Sequence, residues 1–135
     1  MKILLTGCCG FIGFNFVNSL VKTNKKIKII GIDNLNNYYS VGLKKARLKI
    51  LLKSKNFTFQ KMDLENLKLL NDLFKKNKFD CIFHLAAQAG VRYSIKNPKK
   101  YIDSNIIGFF NIIELARKTN IKKIFYASSS SVYGD

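Results

Sequence analysis

The sequence predicts an α/β fold built on a doubly wound parallel sheet, and three observations point to it. Short apolar segments typical of buried strands alternate with helical segments along the chain. A turn rich in glycine joins the first strand to the first helix. Residues with functional chemistry stand where the predicted strands end, and in parallel sheets ligands bind at the carboxyl ends of the strands. The fold class therefore locates the candidate site before any single residue is considered.

The predicted elements follow one another without a linker, a repeat or a domain boundary. Strands are predicted over residues 3–5, 27–33, 57–63, 80–87 and 122–131. Helices are predicted over residues 11–21, 41–53, 65–78 and 97–120, the last beginning at Pro98. With 135 residues, 47% of them hydrophobic, the chain has the length and apolar content of one domain with a core.

The apolar segments are too short for a membrane protein. The longest later stretch, IIGFFNII at 106–113, is far below the ~20 residues that a membrane helix needs. The apolar start of the chain is interrupted by glycine at once, which is unlike a secretory signal. We therefore expect a soluble, cytoplasmic protein with no membrane partner.

The three cysteines, Cys8, Cys9 and Cys81, contain no Cys-x-x-Cys pair. That spacing encodes neither a disulfide framework nor a zinc site. We interpret them as small reduced residues and predict no metal.

The net charge of +16 raises nucleic-acid binding as a hypothesis. Only three of the basic residues are arginines, the lysines are spread over predicted helix faces and loop ends, and no recognised nucleic-acid motif is present. We therefore expect solvated lysines that attract anionic nucleotides, and no nucleic-acid partner.

Three glycines, Gly7, Gly10 and Gly13, stand in the first strand-to-helix turn. Glycine permits positive φ angles and lets a ligand approach the main chain, and the start of a helix offers unpaired N–H groups to an anion. These features predict a pyrophosphate site. The spacing is Gly-x-x-Gly-x-x-Gly, not the usual Gly-x-Gly-x-x-Gly of dinucleotide sites, so a plain turn is the alternative.

The second predicted strand ends on Asp33, twenty residues after Gly13. In a dinucleotide-binding fold an acid at this place accepts hydrogen bonds from the adenosine ribose. A carboxylate there repels a 2′-phosphate, so Asp33 predicts NAD in preference to NADP. The alternative is an acid that merely ends a strand in a turn.

Two further features allow a structural and a functional interpretation. His84, the only histidine, has apolar neighbours, and we interpret it as a packed strand residue and not as a catalytic base. The serine run 128–131 follows the fifth strand. It is either a polar loop or a substrate contact, and its place at the carboxyl end of a strand favours the substrate contact.

Several segments together resemble one enzyme family. They are TGCCGFIG, GIDNLNNYY, MDL, HLAAQAGVRYS, YIDSNIIGFFNIIE and ASSSSVYGD. The chain resembles the extended short-chain dehydrogenase/reductase family along its whole length, and within it the NAD-dependent nucleotide-sugar epimerases and dehydratases. The segments DNLNNYYSVGLKKARL and LAAQAGVRYS are most similar to UDP-glucuronate 4-epimerases. Cys8 and Cys9 depart from the small or polar residues that are usual in this family.

The resemblance implies a Rossmann-type NAD-binding domain over residues 1–135, with a sheet that is incomplete at its carboxyl-terminal side. It also implies which residues bind the cofactor. The pyrophosphate is assigned to Gly7, Gly10, Phe11, Ile12 and Gly13, the adenosine ribose to Asp33 and Asn34, and adenine to Asp63 and Leu64. The remainder of the cofactor is assigned to Leu85, Ala86, Ala87, Gln88 and Asn105. Ser129 matches the catalytic serine or threonine, whose hydroxyl contacts the 4-hydroxyl of the sugar.

The general base of the family is the tyrosine of a Tyr-x-x-x-Lys segment, and none of the six tyrosines here is followed by lysine at the fourth position. We therefore expect an amino-terminal fragment that lacks the later strands and the substrate domain and has no turnover by itself. Relatives dimerise through the helix that matches residues 97–120, so we expect a homodimer of the longer protein.

The resemblance implies a UDP-sugar 4-epimerase that converts UDP-glucuronate to UDP-galacturonate through a 4-keto sugar. Ser129, Ser130 and Ser131 are the preferred ligands of the sugar carboxylate, and Arg92 is their rival. A 4,6-dehydratase is one alternative, although its acidic pair next to the serine is replaced here by Ser130 and Ser131. A non-catalytic NAD-binding module is the other.

Overall fold

A five-stranded parallel sheet forms the centre of the molecule. The computed structural model describes residues 1–134, without the side chains of Ser130 and Ser131. The strands are β1 (Lys2–Thr6), β2 (Lys28–Asp33), β3 (Phe57–Lys61), β4 (Cys81–His84) and β5 (Ile124–Tyr126). They lie in the order β3-β2-β1-β4-β5, and every pair is parallel. This confirms the predicted doubly wound sheet.

Helices connect the strands. They are α1 (Phe11–Thr23), α2 (Val41–Leu51), α3 (Leu67–Lys76), α4 (Val91–Lys96), α5 (Pro98–Tyr101) and α6 (Gly108–Lys118), with a π-helical segment (Ile102–Ile107) between α5 and α6 and a 3-10 turn (Ser130–Tyr133) after β5. Within residues 1–134, none of the helices has the length and apolar content needed to cross a bilayer.

The core has two layers, one on each face of the sheet. Because side chains alternate along a strand, β1 points Leu4 to one face and Ile3 and Leu5 to the other. The Leu4 face is covered by α3 and α6, which contribute Leu70 and Ile112 among others. The opposite face is covered by α1 and α2 through residues that include Val17 and Leu51. Burial on both faces explains why β1 is apolar along most of its length.

The fourth and fifth strands are shorter than predicted. The predicted strand 80–87 ends at His84, because the Thr6 hydroxyl oxygen accepts hydrogen bonds from the N–H groups of Leu85 and Ala86 at 3.1 and 3.0 Å. The N–H of Leu85 also donates to the Thr6 carbonyl at 3.3 Å, so the segment after His84 stays tied to the end of β1. The predicted strand 122–131 keeps only Ile124–Tyr126.

The predicted helix 97–120 is not continuous, and α4 before it was not predicted. Asn97 leaves the helical region, with φ −138° and ψ 54°, because the proline that follows disfavours a helical conformation at this position, and this separates α4 from α5. The π-helical segment then inserts a wider turn before α6. Asn105, which lies in that wider turn, forms long-range hydrogen bonds to Gln88.

Candidate functional site

A cleft opens at the carboxyl ends of β1, β2 and β4. Its volume is about 680 Å³, including the part open to solvent. Nine of the predicted site residues line it, namely Gly7, Gly10, Asp33, Asn34, Leu64, Leu85, Ala86, Ala87 and Gln88. The lining also includes residues that the sequence analysis did not select, among them Asn36, Tyr38, Tyr39 and Lys44. The structure therefore brings the core of the predicted cofactor set together.

The glycine turn is built so closely that two of its positions leave no room for a side chain. Gly7 has φ +72°, and a Cβ there would lie 2.8 to 2.9 Å from backbone atoms of Leu85 and Ala86. A Cβ on Gly13 would overlap the carbonyl oxygen of Gly7. Gly13 is buried and does not line the cleft, so it lets α1 pack against the turn.

The first turn of α1 is suited to bind an anion. Its N-cap residue is Gly10, which has no side chain to accept from the first N–H groups of the helix. A pyrophosphate satisfies such groups and interacts with the positive end of the helix dipole. Phe11 and Ile12, which the resemblance also assigns to the pyrophosphate, have exposed side chains and are absent from the cleft lining. Their side chains therefore lie outside the cleft that nine of the other predicted residues line.

Asp33 is held in place by two backbone N–H groups, one from the glycine turn and one from the loop after β2. Its Oδ2 accepts from the N–H of Cys9 at 3.0 Å, and its Oδ1 accepts from the N–H of Leu35 at 2.8 Å. An ionised carboxylate has about four acceptor positions, so two stay available to the diol of a ribose. Asp33 is thus an oriented acceptor beside the glycine turn.

Asn34 and Asp63 form a pair at the rim of the cleft. The Asn34 amide donates to Asp63 Oδ1 at 2.7 Å, while its oxygen accepts from the N–H of Asn36 at 3.0 Å. Asp63 is exposed and does not line the cleft. Leu64 lies in the lining and is buried, and its carbonyl accepts from the Asn111 side chain at 2.9 Å.

Two basic residues of α2 bind the loops of the cleft, and neither was predicted from the sequence. Lys44 is 5% exposed, and its ammonium donates to the carbonyl and side-chain oxygens of Asn36 at 2.9 and 2.7 Å. Burial lowers the pKa of Lys44. Arg47 donates to the carbonyl of Cys9 and to the Tyr39 hydroxyl, both at 3.2 Å. One sequence signal could have found them. Lys44 and Arg47 stand at i and i+3 on a predicted helix directly after the polar turn, so both side chains share one helix face near that turn.

Thr6 and His84 form a buried pair under the cleft. The Thr6 hydroxyl oxygen already accepts two backbone N–H groups, which leaves its hydrogen for His84 Nδ1 at 3.0 Å. His84 therefore accepts at Nδ1, which requires the neutral tautomer with the proton at Nε2. Desolvation by burial lowers the pKa of His84 to about 4. His84 is 6% exposed and packed, as the sequence analysis expected.

Asn105 orients the end of the β4 segment. Its side-chain oxygen accepts from the N–H of Gln88 at 2.8 Å, and its amide donates to the carbonyl of Gln88 at 2.9 Å. Gln88 is buried and lines the cleft, whereas Asn105 does not. Asn105 thus positions a cleft-lining residue across the space between β4 and the π-helical segment.

The glycine turn carries two adjacent thiols. Cys8 and Cys9 are both fully buried, and their sulfur atoms are 3.8 Å apart. The hydrogen bond to Cys9 and burial raise the pKa of the Cys8 thiol. These two sulfurs and a carboxylate oxygen of Asp33 lie within 4.8 Å of one another.

The predicted substrate residues lie apart from this cluster. Ser129 follows β5 in exposed chain, and its carbonyl accepts from the N–H of Val132 at 3.2 Å. The side chains of Ser130 and Ser131 are outside the described part of the chain. Arg92 is exposed in the first turn of α4 and does not line the cleft.

The parallel strand order, the glycine turn and the acid at the end of β2 define a Rossmann-type dinucleotide-binding fold. The chain belongs to the extended short-chain dehydrogenases/reductases, in the family described as GDP-mannose 4,6 dehydratase, whose profile matches residues 4–135. The resemblance noted from the sequence is thereby confirmed.

Similar proteins refine this picture. Protein CapI of Staphylococcus aureus is 54% identical over 134 residues, which are 99% of this chain and 39% of that protein. The UDP-glucuronate 4-epimerase of Thermodesulfobacterium geofontis is 45% identical over 130 residues, 96% of this chain and 40% of that protein. The UDP-glucuronic acid 4-epimerase of Bacillus cereus, solved with UDP-glucuronic acid and NAD, superposes with a TM-score of 0.86 at 34% identity. That match covers 100% of this chain and 42% of the other.

Proposed function

We propose that this chain is the cofactor-binding part of an NAD-dependent nucleotide-sugar 4-epimerase that acts on UDP-glucuronate. The observation that carries the proposal is the combination of the glycine turn with Asp33, whose carboxylate two backbone N–H groups fix beside the turn. The similarity to two UDP-glucuronate 4-epimerases supports the choice of sugar.

The cofactor is NAD. Gly7 and Gly10 line the space for its pyrophosphate, and Asp33 accepts hydrogen bonds from its adenosine ribose. The segment from Leu85 to Gln88 lines the rest of the cleft. The fixed carboxylate disfavours the 2′-phosphate of NADP, because the two negative charges repel.

The cofactor preference is tested with the variant Asp33→Ala. Loss of a charge-assisted hydrogen-bond pair should weaken NAD binding by ~1–3 kcal/mol and reduce the preference over NADP. Isothermal titration calorimetry measures both affinities, and Asp72→Ala, at an exposed position on α3, is the matched control. Equal affinity of the unmodified chain for NAD and NADP would contradict this role of Asp33.

Ser129 is the residue of this chain that we assign to the reaction. Its hydroxyl hydrogen-bonds the 4-hydroxyl of the sugar and the ketone that develops from it. Bound NAD supplies the chemistry by taking a hydride from C4 and returning it to the other face. The proton of the 4-hydroxyl goes to a tyrosine of the Tyr-x-x-x-Lys type, a segment that these 135 residues do not contain.

The carboxylate of the glucuronate needs donors that replace its lost water. We assign it to the hydroxyl groups of Ser130 and Ser131 and the backbone N–H groups of Ser129, Ser130 and Ser131, which are neutral and suit a group that must rotate between two poses. Arg92 is the rival ligand, and its fixed guanidinium would hold the carboxylate in one pose, which favours the serines.

A hybrid enzyme tests the activity. Residues 1–135 replace the matching segment of the Bacillus cereus UDP-glucuronic acid 4-epimerase, and chromatography follows the conversion of UDP-glucuronate to UDP-galacturonate. We expect turnover, and a loss of roughly 100-fold in kcat for Ser129→Ala, as for a lost donor to a developing oxyanion.

Three outcomes separate the alternatives. A hybrid that prefers UDP-glucose contradicts the assigned sugar, and a 4-keto-6-deoxy product from a neutral UDP- or GDP-hexose favours a 4,6-dehydratase. A hybrid that binds NAD but converts no sugar nucleotide favours the non-catalytic NAD-binding module.

The longer protein is a homodimer in this proposal. Ile106, Phe110 and Ile113 form an apolar stripe along α6 and the π-helical segment, with 63%, 58% and 37% of their surface exposed. By analogy with the family, a second copy covers this stripe, so the isolated chain should self-associate. Analytical ultracentrifugation of the chain and of Phe110→Ser tests this expectation. A monodisperse monomer of the unmodified chain would contradict it.

A further inference from the structure

We propose that Cys8, Cys9 and Asp33 form a binding site for a thiophilic divalent cation, of the Zn²⁺ and Cd²⁺ class, and that this ion and NAD exclude each other. The sequence spacing gave no sign of such a site, because the third ligand lies 24 residues from the cysteine pair. The fold brings it there by placing the end of β2 beside the glycine turn.

The separation of the two sulfurs fits metal chelation. A tetrahedral ion with metal–sulfur bonds of about 2.3 Å holds its sulfur ligands roughly 3.8 Å apart. The sulfurs of Cys8 and Cys9 are 3.8 Å apart as they stand, whereas a disulfide requires about 2.05 Å. The spacing of the pair is therefore compatible with chelation of one ion, which would replace the hydrogen bond between the two thiols.

The third donor completes the set in the same place. A carboxylate oxygen of Asp33 lies within 4.8 Å of both sulfurs. Two thiolates select soft and borderline ions, and a carboxylate is a common additional ligand of zinc.

The surroundings balance the charge of such a complex. Two thiolates and a carboxylate bring three negative charges against the two positive charges of the ion. Arg47 contacts the carbonyl of Cys9 at 3.2 Å, and Lys44 lies buried in the same cleft as Asp33. These two cations offset the remaining negative charge.

The ion would act on the cofactor through Asp33. Its carboxylate is the group that holds the ribose in the proposed function, so the exclusion half of the inference rests on that proposal. An ion that draws the carboxylate toward the thiols removes this acceptor from the cleft. It also breaks the bond between Asp33 and the N–H of Cys9, which fixes the glycine turn.

Cd²⁺ binding to the reduced chain tests the site itself. Equilibrium dialysis should give one ion per chain, with a thiolate-to-Cd²⁺ charge-transfer band in the ultraviolet. Cys9→Ala and the double variant Cys8→Ala/Cys9→Ala should lose roughly 100-fold or more in affinity, beyond the effect of an outer-shell partner. Cys81→Ala removes a buried thiol elsewhere in the sheet and is the matched control. Far-UV circular dichroism checks that each variant is folded.

The proposed site would be wrong if the folded double variant bound Cd²⁺ with undiminished affinity, or if Cys81→Ala lost as much Cd²⁺ affinity as the Cys8 and Cys9 variants. A second titration measures NAD affinity with Cd²⁺ at saturation, where we expect at least a 10-fold increase in Kd. If Cd²⁺ binds at the cysteines and NAD affinity is unchanged, the exclusion is wrong. If the metal-free chain does not bind NAD at all, the proposed function fails while the ion site stands.

Discussion

The two edge strands of the sheet differ in how completely the chain covers them. On β3, Phe57 is 4% exposed and packs in the same core layer as Leu51 of α2. On β5, Phe125 is 51% exposed, although its ring stacks on that of Phe83 with centroids 4.7 Å apart. The same residue type is therefore a core residue at one edge and a surface residue at the other.

The proposed site is divided in the same way, with its cofactor-binding residues on one side and its sugar-binding residue on the other. The glycine turn and Asp33 lie on the covered side, where backbone hydrogen bonds fix them. Ser129 follows β5 on the exposed side. The packing of the described residues thus holds the glycine turn and Asp33, the groups proposed to bind the cofactor, while the residue proposed to contact the sugar lies in exposed chain.

The largest effect is expected from truncating the two edge phenylalanines. Phe57→Ala should lower the free energy of unfolding by ~3–5 kcal/mol, because it leaves a cavity in the core. Phe125→Ala should cost about 1 kcal/mol or less, since half of its side chain already meets water. Urea denaturation measures both. Equal losses would remove the distinction between the two edges.

Acid should weaken the centre of the sheet through His84. The unfolded imidazole has its ordinary pKa near 6.5 and the folded one about 4, so between these values only the unfolded chain binds the proton. Stability should therefore fall by on the order of 3 kcal/mol as the pH drops from 6.5 to 4, and be fully present above that window.

The variant His84→Asn is the control for this prediction. Its side-chain oxygen can accept from Thr6 in place of Nδ1 but does not titrate. Denaturant unfolding at several pH values should show a smaller acid loss in the variant. The same pH dependence in both proteins would mean that other groups cause the loss.

The sequence was sufficient for features that depend on local pattern. The order of the strands, the glycine turn and Asp33 follow from short segments of the chain, and the structure has them where they were expected. It was not sufficient for groups that act across the fold. Thr6 binds backbone groups 79 and 80 residues away, and Lys44 is buried only because the loop before α2 folds over it. No periodicity records such contacts.

The smallest expected effect compares two glycines, one in the covered region and one outside it. Gly13→Ala should cost ~1–3 kcal/mol in stability, because the new Cβ overlaps the carbonyl of Gly7 and must push the turn away from α1. The same displacement should weaken NAD binding, since the turn holds the pyrophosphate in the proposed function. Gly42→Ala is the matched control in the first turn of α2, where a Cβ would meet only the Ser40 hydroxyl oxygen at 3.6 Å. It should be neutral or slightly stabilising, because alanine favours a helix. Thermal unfolding and NAD titration of both variants decide the matter, and a Gly13→Ala chain with unchanged stability and NAD affinity would show that the turn is not rigidly packed.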